Sequence, residues 1–196
     1  MFYTSNLFPR LHAGNYYRII SAAALCLLAA ATRLLPHQAN VTAVGAVALV
    51  AGCYLGWRVA AAVTVAAMLA SDAVIGFYHW PVMASVYGSL ALAGGVGAWV
   101  RRPDQFSWVR AAGGSFLGSA IFYLATNWAV WQFTPLYPKT AVGLWSSYLA
   151  ALPFFRNGLL GDLLYGAVLF GLAQSFQTRR GLRYGLRHAM SYRYVV

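Results

Sequence analysis

Long apolar runs, separated by polar or turn-forming residues, recur along almost the whole chain. They cover 18–35, 41–55, 59–77, 81–100 and 109–133. The first run ends at Pro36, because helical geometry is disfavoured in a residue that precedes proline. Only Gly56, Trp57 and Arg58 separate the second run from the third, which predicts an antiparallel hairpin. A transmembrane helix needs about 20 mainly apolar residues, so we interpret each run as a membrane span.

The last third of the chain has a less regular pattern. Residues 134–140 contain two prolines and are typical of a loop. The apolar stretch 141–152 is about half a span long and Pro153 interrupts it, which predicts a short interfacial or re-entrant helix. A last full span covers 157–176. The pattern as a whole predicts an all-α membrane protein, a six-transmembrane-helix bundle with this short helix before the last span.

Composition supports a membrane protein and excludes an ordinary soluble domain. Of all residues, 61% are hydrophobic and 9% are charged, whereas roughly a quarter are charged in soluble domains. The formal net charge of +11 would also fit a nucleic-acid-binding protein. Membrane topology explains it better, since Lys and Arg concentrate in cytoplasmic loops. We therefore expect the lipid bilayer, and no nucleic acid, as a partner.

The basic residues also predict the orientation of the chain. With the N-terminus inside, eleven of the 14 basic residues face the cytoplasm, and the opposite orientation leaves only three there. Both termini are therefore predicted to be cytoplasmic. The predicted segments are a cytoplasmic N-terminal segment 1–17, a transmembrane domain 18–177 and a basic tail 178–196. The expected location is the bacterial cytoplasmic (inner) membrane, with multiple passes.

Two of the three carboxylates in the chain lie inside apolar runs. Asp72 and Asp162 each lie about one helical turn from the outward end of a predicted span. Ionisable groups at such positions are costly and mark functional sites, and they must be paired, hydrogen-bonded or protonated. Arg33 and Arg156 are the nearest plausible cations. The sequence leaves two interpretations open: ion pairs that lock helices together, or groups that orient a polar ligand.

A candidate binding site follows from the side chains that the topology collects at the outward ends. It comprises Asp72, Tyr78, His79, Asn127, Trp128, Trp131, Arg156, Asn157 and Asp162. The carboxylates, the arginine and the Asn127 amide would fix the polarity of a ligand, while the aromatic rings supply stacking area. The same aromatic residues are equally typical of interfacial belts. His79 could ligate a metal or simply be hydrogen-bonded.

Several chemistries have no counterpart in the sequence. Glutamate is absent, and the chain contains no HExxH, GxSxG or phosphate-binding GxxxxGK[ST] motif. We therefore expect no enzyme activity, no catalytic residues, no cofactor and no metal site. The cytoplasmic halves of the spans hold almost no ionisable groups, which argues against a proton relay or an ion channel.

Small residues at helical spacing predict close helix contacts. Ala22, Cys26 and Ala30 form such a ridge on the first span, and glycines at 94, 95 and 97 lie on the fourth. These ridges could pack inside the chain or against a helix of a partner protein.

Six segments carry a resemblance to a known family. They are RLLPH at 33–37, SDAVIGFYH at 71–79, VYGSLAL at 86–92, TNWAVW at 126–131, LYPKT at 136–140 and PFFRNGLLGDLLYGAVLFG at 153–171. In these segments the chain resembles small, uncharacterised bacterial membrane transport proteins that belong with the substrate-binding S components of energy-coupling factor (ECF) transporters. The resemblance implies a six-helix bundle that captures a vitamin or its precursor from the outer side.

The resemblance also implies partners. A transmembrane coupling protein and paired ATPases would move the S component, and Ala22, Cys26 and Ala30 would face the coupling protein. The ligand does not carry over. A corrinoid is one option, because His79 could approach cobalt as an axial ligand.

The expected function is therefore an ECF S-component-like transport protein that binds a small micronutrient at the extracytoplasmic helix ends for uptake. The alternative is a structural or scaffolding membrane protein without a small-molecule ligand, whose arginine-rich tail binds anionic lipid. An enzyme that acts on a lipid headgroup is a third, weaker interpretation.

Overall fold

The computed structural model describes residues 15–101 and 106–191, with side chains for 16–101 and 106–176. These residues form six helices: α1 Asn15–Leu34, α2 Val44–Leu55, α3 Trp57–Ile75, α4 Trp80–Val100, α5 Trp108–Phe133 and α6 Ala141–Ser191. The all-helical prediction is confirmed. The predicted N-terminal segment lies almost wholly outside the described residues, as do the side chains of the basic tail.

Within the described residues, four stretches are long and apolar enough to cross a membrane. They are Tyr16–Leu34, Trp57–Ile75, Trp80–Val100 and Ala141–Phe176. The protein is therefore a membrane-embedded helical bundle, which confirms the predicted class. Helix α2 has only 12 residues, or about 18 Å, and is shorter than the hydrocarbon core of about 30 Å. The structure thus confirms a helical membrane protein, whereas the number of six full spans stays a prediction.

The end of the bundle that holds the loops 35–43, 76–79 and 134–140 is called the outer end below, after the orientation that the basic residues predict. The inner end holds Gly56 and the connection between α4 and α5.

Helix α6 corrects the prediction of a separate short helix. It continues for 51 residues through Pro153, although proline removes one backbone hydrogen bond of the helix. Its first turns are held against α5, where the Tyr123 hydroxyl donates to the Tyr148 carbonyl over 2.8 Å and the Ser147 hydroxyl donates to the Asn127 carbonyl over 3.1 Å. These bonds hold the part of α6 that precedes Pro153 against α5. Since 51 residues extend about 76 Å, part of α6 must lie outside the hydrocarbon core.

Helix α2 occupies the centre of the bundle and contacts every other helix. Val44 and all residues from Ala46 to Cys53 are buried. Glycines allow α4 to approach it closely, because a Cβ at Gly97 would collide with the backbone of Leu49. Of the predicted glycine ridge, Gly97 therefore packs inside the chain, whereas Gly95 faces open space.

Two buried apolar clusters surround α2. The cluster nearer the outer end includes Val47, Val63 and Leu90. The cluster nearer the inner end is formed by Leu49, Val50, Cys53, Val100, Ala111 and Phe170. Both cysteines are free thiols within this packing.

The small residues of α1 that we predicted to contact a partner pack within the chain. Ala22, Cys26 and Ala30 are partly buried against the outer cluster. The intramolecular interpretation accounts for their positions, and contact with a coupling protein stays a prediction.

We predict that Gly97→Ala lowers the stability of the protein and that Gly95→Ala, two residues away on α4, does not. The added methyl group at position 97 meets the backbone of Leu49, and overpacking of this kind costs about 1–3 kcal/mol. At position 95 nothing lies within 4 Å, so alanine adds helix propensity of up to about 1 kcal/mol. Thermal unfolding of both variants in detergent measures the difference, and equal melting temperatures would contradict the close α2–α4 contact.

Candidate ligand-binding site

A cavity of about 700 Å³ lies at the outer end of the bundle. It lies beside the outer half of α2, from which Val44, Gly45 and Leu49 line it. Helices α4, α5 and α6 supply most of the wall. Arg33, His37 and Tyr78 come from the outer end of α1 and from two loops.

Asp162 of α6 lies where the wall of this cavity meets the first turn of α2. Its carboxylate accepts a hydrogen bond of 2.7 Å from the Ser119 hydroxyl and another from the Ala46 backbone N–H. Helix α2 has no capping side chain of its own at Ala43, so Asp162 caps it from another helix. A carboxylate is favourable there, because the N-terminus of a helix carries partial positive charge.

The contact between Asp162 and α2 requires glycine at position 45. A Cβ at Gly45 would overlap both carboxylate oxygens of Asp162. Asp162 is nevertheless only partly buried, because it borders the cavity. The carboxylate is therefore both a structural cap and part of the cavity surface.

Asp72 has a different environment and is completely buried. Arg33 of α1 donates from Nη2 to Asp72 Oδ1 over 2.6 Å, and the Tyr87 hydroxyl of α4 donates to Oδ2 over 2.7 Å. A second guanidinium nitrogen donates to the Ser71 hydroxyl over 2.6 Å. Of the two interpretations that the sequence left open, the geometry at Asp72 is that of an ion pair that locks α1, α3 and α4 together.

Tyr78 lies in the loop between α3 and α4 and lines the cavity. Burial, and then the nearby charge of Asp72, raise the pKa of the Tyr78 phenol to about 12, against the opposing effect of Arg33. The phenol is therefore neutral at physiological pH, so its hydroxyl can donate a hydrogen bond as well as accept one.

The structure brings three of the nine predicted site residues to the cavity. These are Tyr78, Asn127 and Asp162. The Asn127 amide nitrogen donates to the Tyr123 carbonyl over 2.8 Å, which orients the side chain along α5. Asp72 lies behind Arg33, which lines the cavity itself.

The other five predicted residues lie outside the cavity. Trp128 packs edge to face on Phe133, the Trp131 indole donates to the Pro138 carbonyl over 2.9 Å, and Asn157 donates to the Ala39 carbonyl over 3.2 Å. His79 and Arg156 are exposed. The bond of Asn157 holds the loop 35–43, which borders the cavity, and the bond of Trp131 holds the loop 134–140.

A row of polar side chains on α5 was not predicted from the sequence. Ser115, Ser119 and Thr126 line the cavity, and their spacing places them on one face of the helix. A polar face on an otherwise apolar span was the signal that could have identified them. Phe122 and Tyr123, which line the same region, gave no comparable signal.

Metal binding finds no support in the described ranges 15–101 and 106–191. They contain no group of three or more His, Cys, Asp or Glu side chains that could hold a metal ion.

Fold and cavity together define a membrane-embedded helical protein with a cavity at one end that is lined by apolar side chains and a few polar groups. Residues 14–183 match the model of a family described as "Family of unknown function (DUF6580)", and the chain belongs to this family. No curated protein and no solved structure gives a significant match. The relationship to ECF S components therefore stays a prediction.

We predict that Asp72→Ala destabilises the protein by about 3–5 kcal/mol, because removal of one partner leaves the other charge of a buried pair uncompensated. The Arg33→Met/Asp72→Ala double variant should lose less than the sum of the two single variants, since neither charge then remains unpaired. Thermal or denaturant unfolding measures the cycle.

Arg156→Ala is the control for this cycle, because Arg156 is exposed and such substitutions usually stay within about 0.5 kcal/mol. Strict additivity of the two single variants would contradict the ion pair as a stabilising contact.

Proposed function

We propose that this protein binds a small, ring-containing micronutrient in the outer cavity and takes part in its uptake across the bacterial inner membrane, as the substrate-binding S component of an ECF transporter does. The observation that carries the proposal is the cavity of about 700 Å³ at the outer end. Sites for small molecules typically have volumes of about 300–1,000 Å³.

The lining of the cavity suits a ring with polar substituents. Phe122, Tyr123, Phe154 and Phe155 present aromatic surface to it, which is suited to stacking on a flat ring. Asn127 and the serines and threonine of α5 add hydrogen-bonding groups on one side. A mostly apolar surface with a few polar groups is the usual composition of a small-molecule site.

A corrinoid is not favoured as the ligand. A corrinoid in the cavity would need His79 as an axial ligand of its cobalt, but His79 does not line the cavity. Smaller ring compounds fit the cavity without that requirement.

The packing on the inner side of the cavity is consistent with a protein that captures its ligand from the outer side and then changes conformation. Val50 and Phe170 of the inner cluster are buried there, so this packing must rearrange before a ligand passes. Such a rearrangement requires energy, which a coupling protein and paired ATPases would supply. In this proposal both termini lie in the cytoplasm and the cavity faces outward.

A scaffolding role is the second candidate. The observation that favours it is that Asp72, Trp131 and Asn157 all bond to other parts of the same chain. Polar groups at the outer end would then only hold helices and loops together.

We predict that a panel of vitamins and precursors contains a compound that raises the melting temperature of the purified protein, and that Asn127→Leu weakens its binding by about tenfold. The leucine removes the amide from the cavity surface, and an unmade hydrogen bond to a buried ligand group costs about 1–3 kcal/mol. Isothermal titration measures the affinities.

Trp128→Leu is the matched control, because Trp128 neighbours Asn127 but does not line the cavity, and its affinity should equal that of the wild type. Absence of any stabilising compound, together with normal nutrient uptake by cells that carry Asn127→Leu, would favour the scaffold.

A further inference from the structure

The cavity is left with one unpaired negative charge once the ion pair beside it is taken into account. Arg33 and Asp162 are the lining residues with a full charge. The guanidinium of Arg33 is already paired with Asp72. In the part of the chain that the structure describes, no cationic side chain lies within salt-bridge distance of Asp162. An ionised Asp162 therefore gives the cavity one uncompensated negative charge.

The Asp162 carboxylate also has hydrogen-bonding capacity to spare. An ionised carboxylate offers about four lone-pair positions, and the Ser119 hydroxyl and the Ala46 N–H occupy two of them. Gly45 closes off the side toward α2. The remaining positions are left for a group inside the cavity.

Burial makes the charge of Asp162 costly unless it is paired. The two hydrogen bonds and the N-terminus of α2 stabilise the ionised form, whereas the apolar surroundings oppose it. A cation that enters the cavity would add the missing partner, and it would do so only when the ligand is bound. An anionic ligand would face the unpaired carboxylate and would find the Arg33 guanidinium already occupied by Asp72.

The aromatic lining fits the same ligand. Phe122, Phe154 and Phe155 border the cavity together with Asp162. Aromatic faces attract cations as well as stacking on rings.

Building on the proposed function, we infer that the ligand carries a positive charge, as a protonated amine or a cationic ring nitrogen, and that Asp162 binds this charge while the aromatic residues hold the ring. Asp162 is then the residue that determines specificity for cationic over neutral and anionic ring compounds.

Three ring compounds of similar shape test this inference on the purified full-length protein: 2-phenylethylamine as the cation, 2-phenylethanol as the neutral compound and phenylacetate as the anion. We expect 2-phenylethylamine to raise the melting temperature most. In Asp162→Asn its affinity should fall by about tenfold or more, since hydrogen bonds to charged groups are the strong ones. The affinity for 2-phenylethanol should stay unchanged, because the asparagine carbonyl oxygen can accept from the Ala46 N–H while its NH2 group donates to the Ser119 hydroxyl oxygen.

Arg156→Gln is the control for a change of charge on the same helix. Arg156 lies outside the cavity, so this variant should bind all three probes as the wild type does. If Asp162→Asn does not fold, the inference is tested by the wild type alone, in which 2-phenylethylamine must raise the melting temperature more than 2-phenylethanol and phenylacetate do.

Equal binding of the three probes, or unchanged binding of 2-phenylethylamine to folded Asp162→Asn, would overturn the inference and leave the proposed function standing. Absence of binding by every probe and by every compound of the vitamin panel would overturn both.

Discussion

Helix α2 begins inside the bundle, and the N–H groups of its first turn must find acceptors there. The first four N–H groups of a helix have no partner within it, and unsatisfied groups are expensive away from water. Thr32 of α1 accepts from the Ala43 N–H over 3.1 Å, and Asp162 of α6 accepts from the Ala46 N–H. This requirement fixes α1 and α6 relative to α2 and excludes a side chain at Gly45, which borders the cavity.

The two carboxylates in the spans have separate roles because different helices surround them. Asp72 faces a cation and a phenol, and its charge is balanced within the protein. Asp162 faces a hydroxyl, a helix N-terminus and the cavity. A buried ion pair stabilises the fold when both partners are present, whereas a carboxylate at a cavity is available to a ligand. The first holds three helices together beside the cavity, and the second is part of the cavity surface.

Close packing around α2 explains why small residues recur in this chain. Gly97 lies against the backbone of Leu49, and a Cβ at Gly52 would meet the backbone of Gly94. In membrane proteins such contacts replace much of the hydrophobic driving force between helices. The spacing of small residues indicated close helix contacts correctly for Gly94 and Gly97. The spacing could not separate them from Gly95, which faces open space, because glycines that are close in the sequence lie on different faces of the helix.

Apolar runs of membrane length by themselves determined the class of this protein and the approximate bounds of its helices, because exclusion of charge from lipid is a local property of the sequence. They also pointed to Asp72 and Asp162 as costly groups. Only the tertiary structure decided that α2 is short and central, that α6 continues through Pro153, and that Arg33 pairs with Asp72. The contacts of the two carboxylates join residues 39 and 43 positions apart. Such long-range pairing depends on which helices become neighbours, and hydropathy along a single chain does not contain that information.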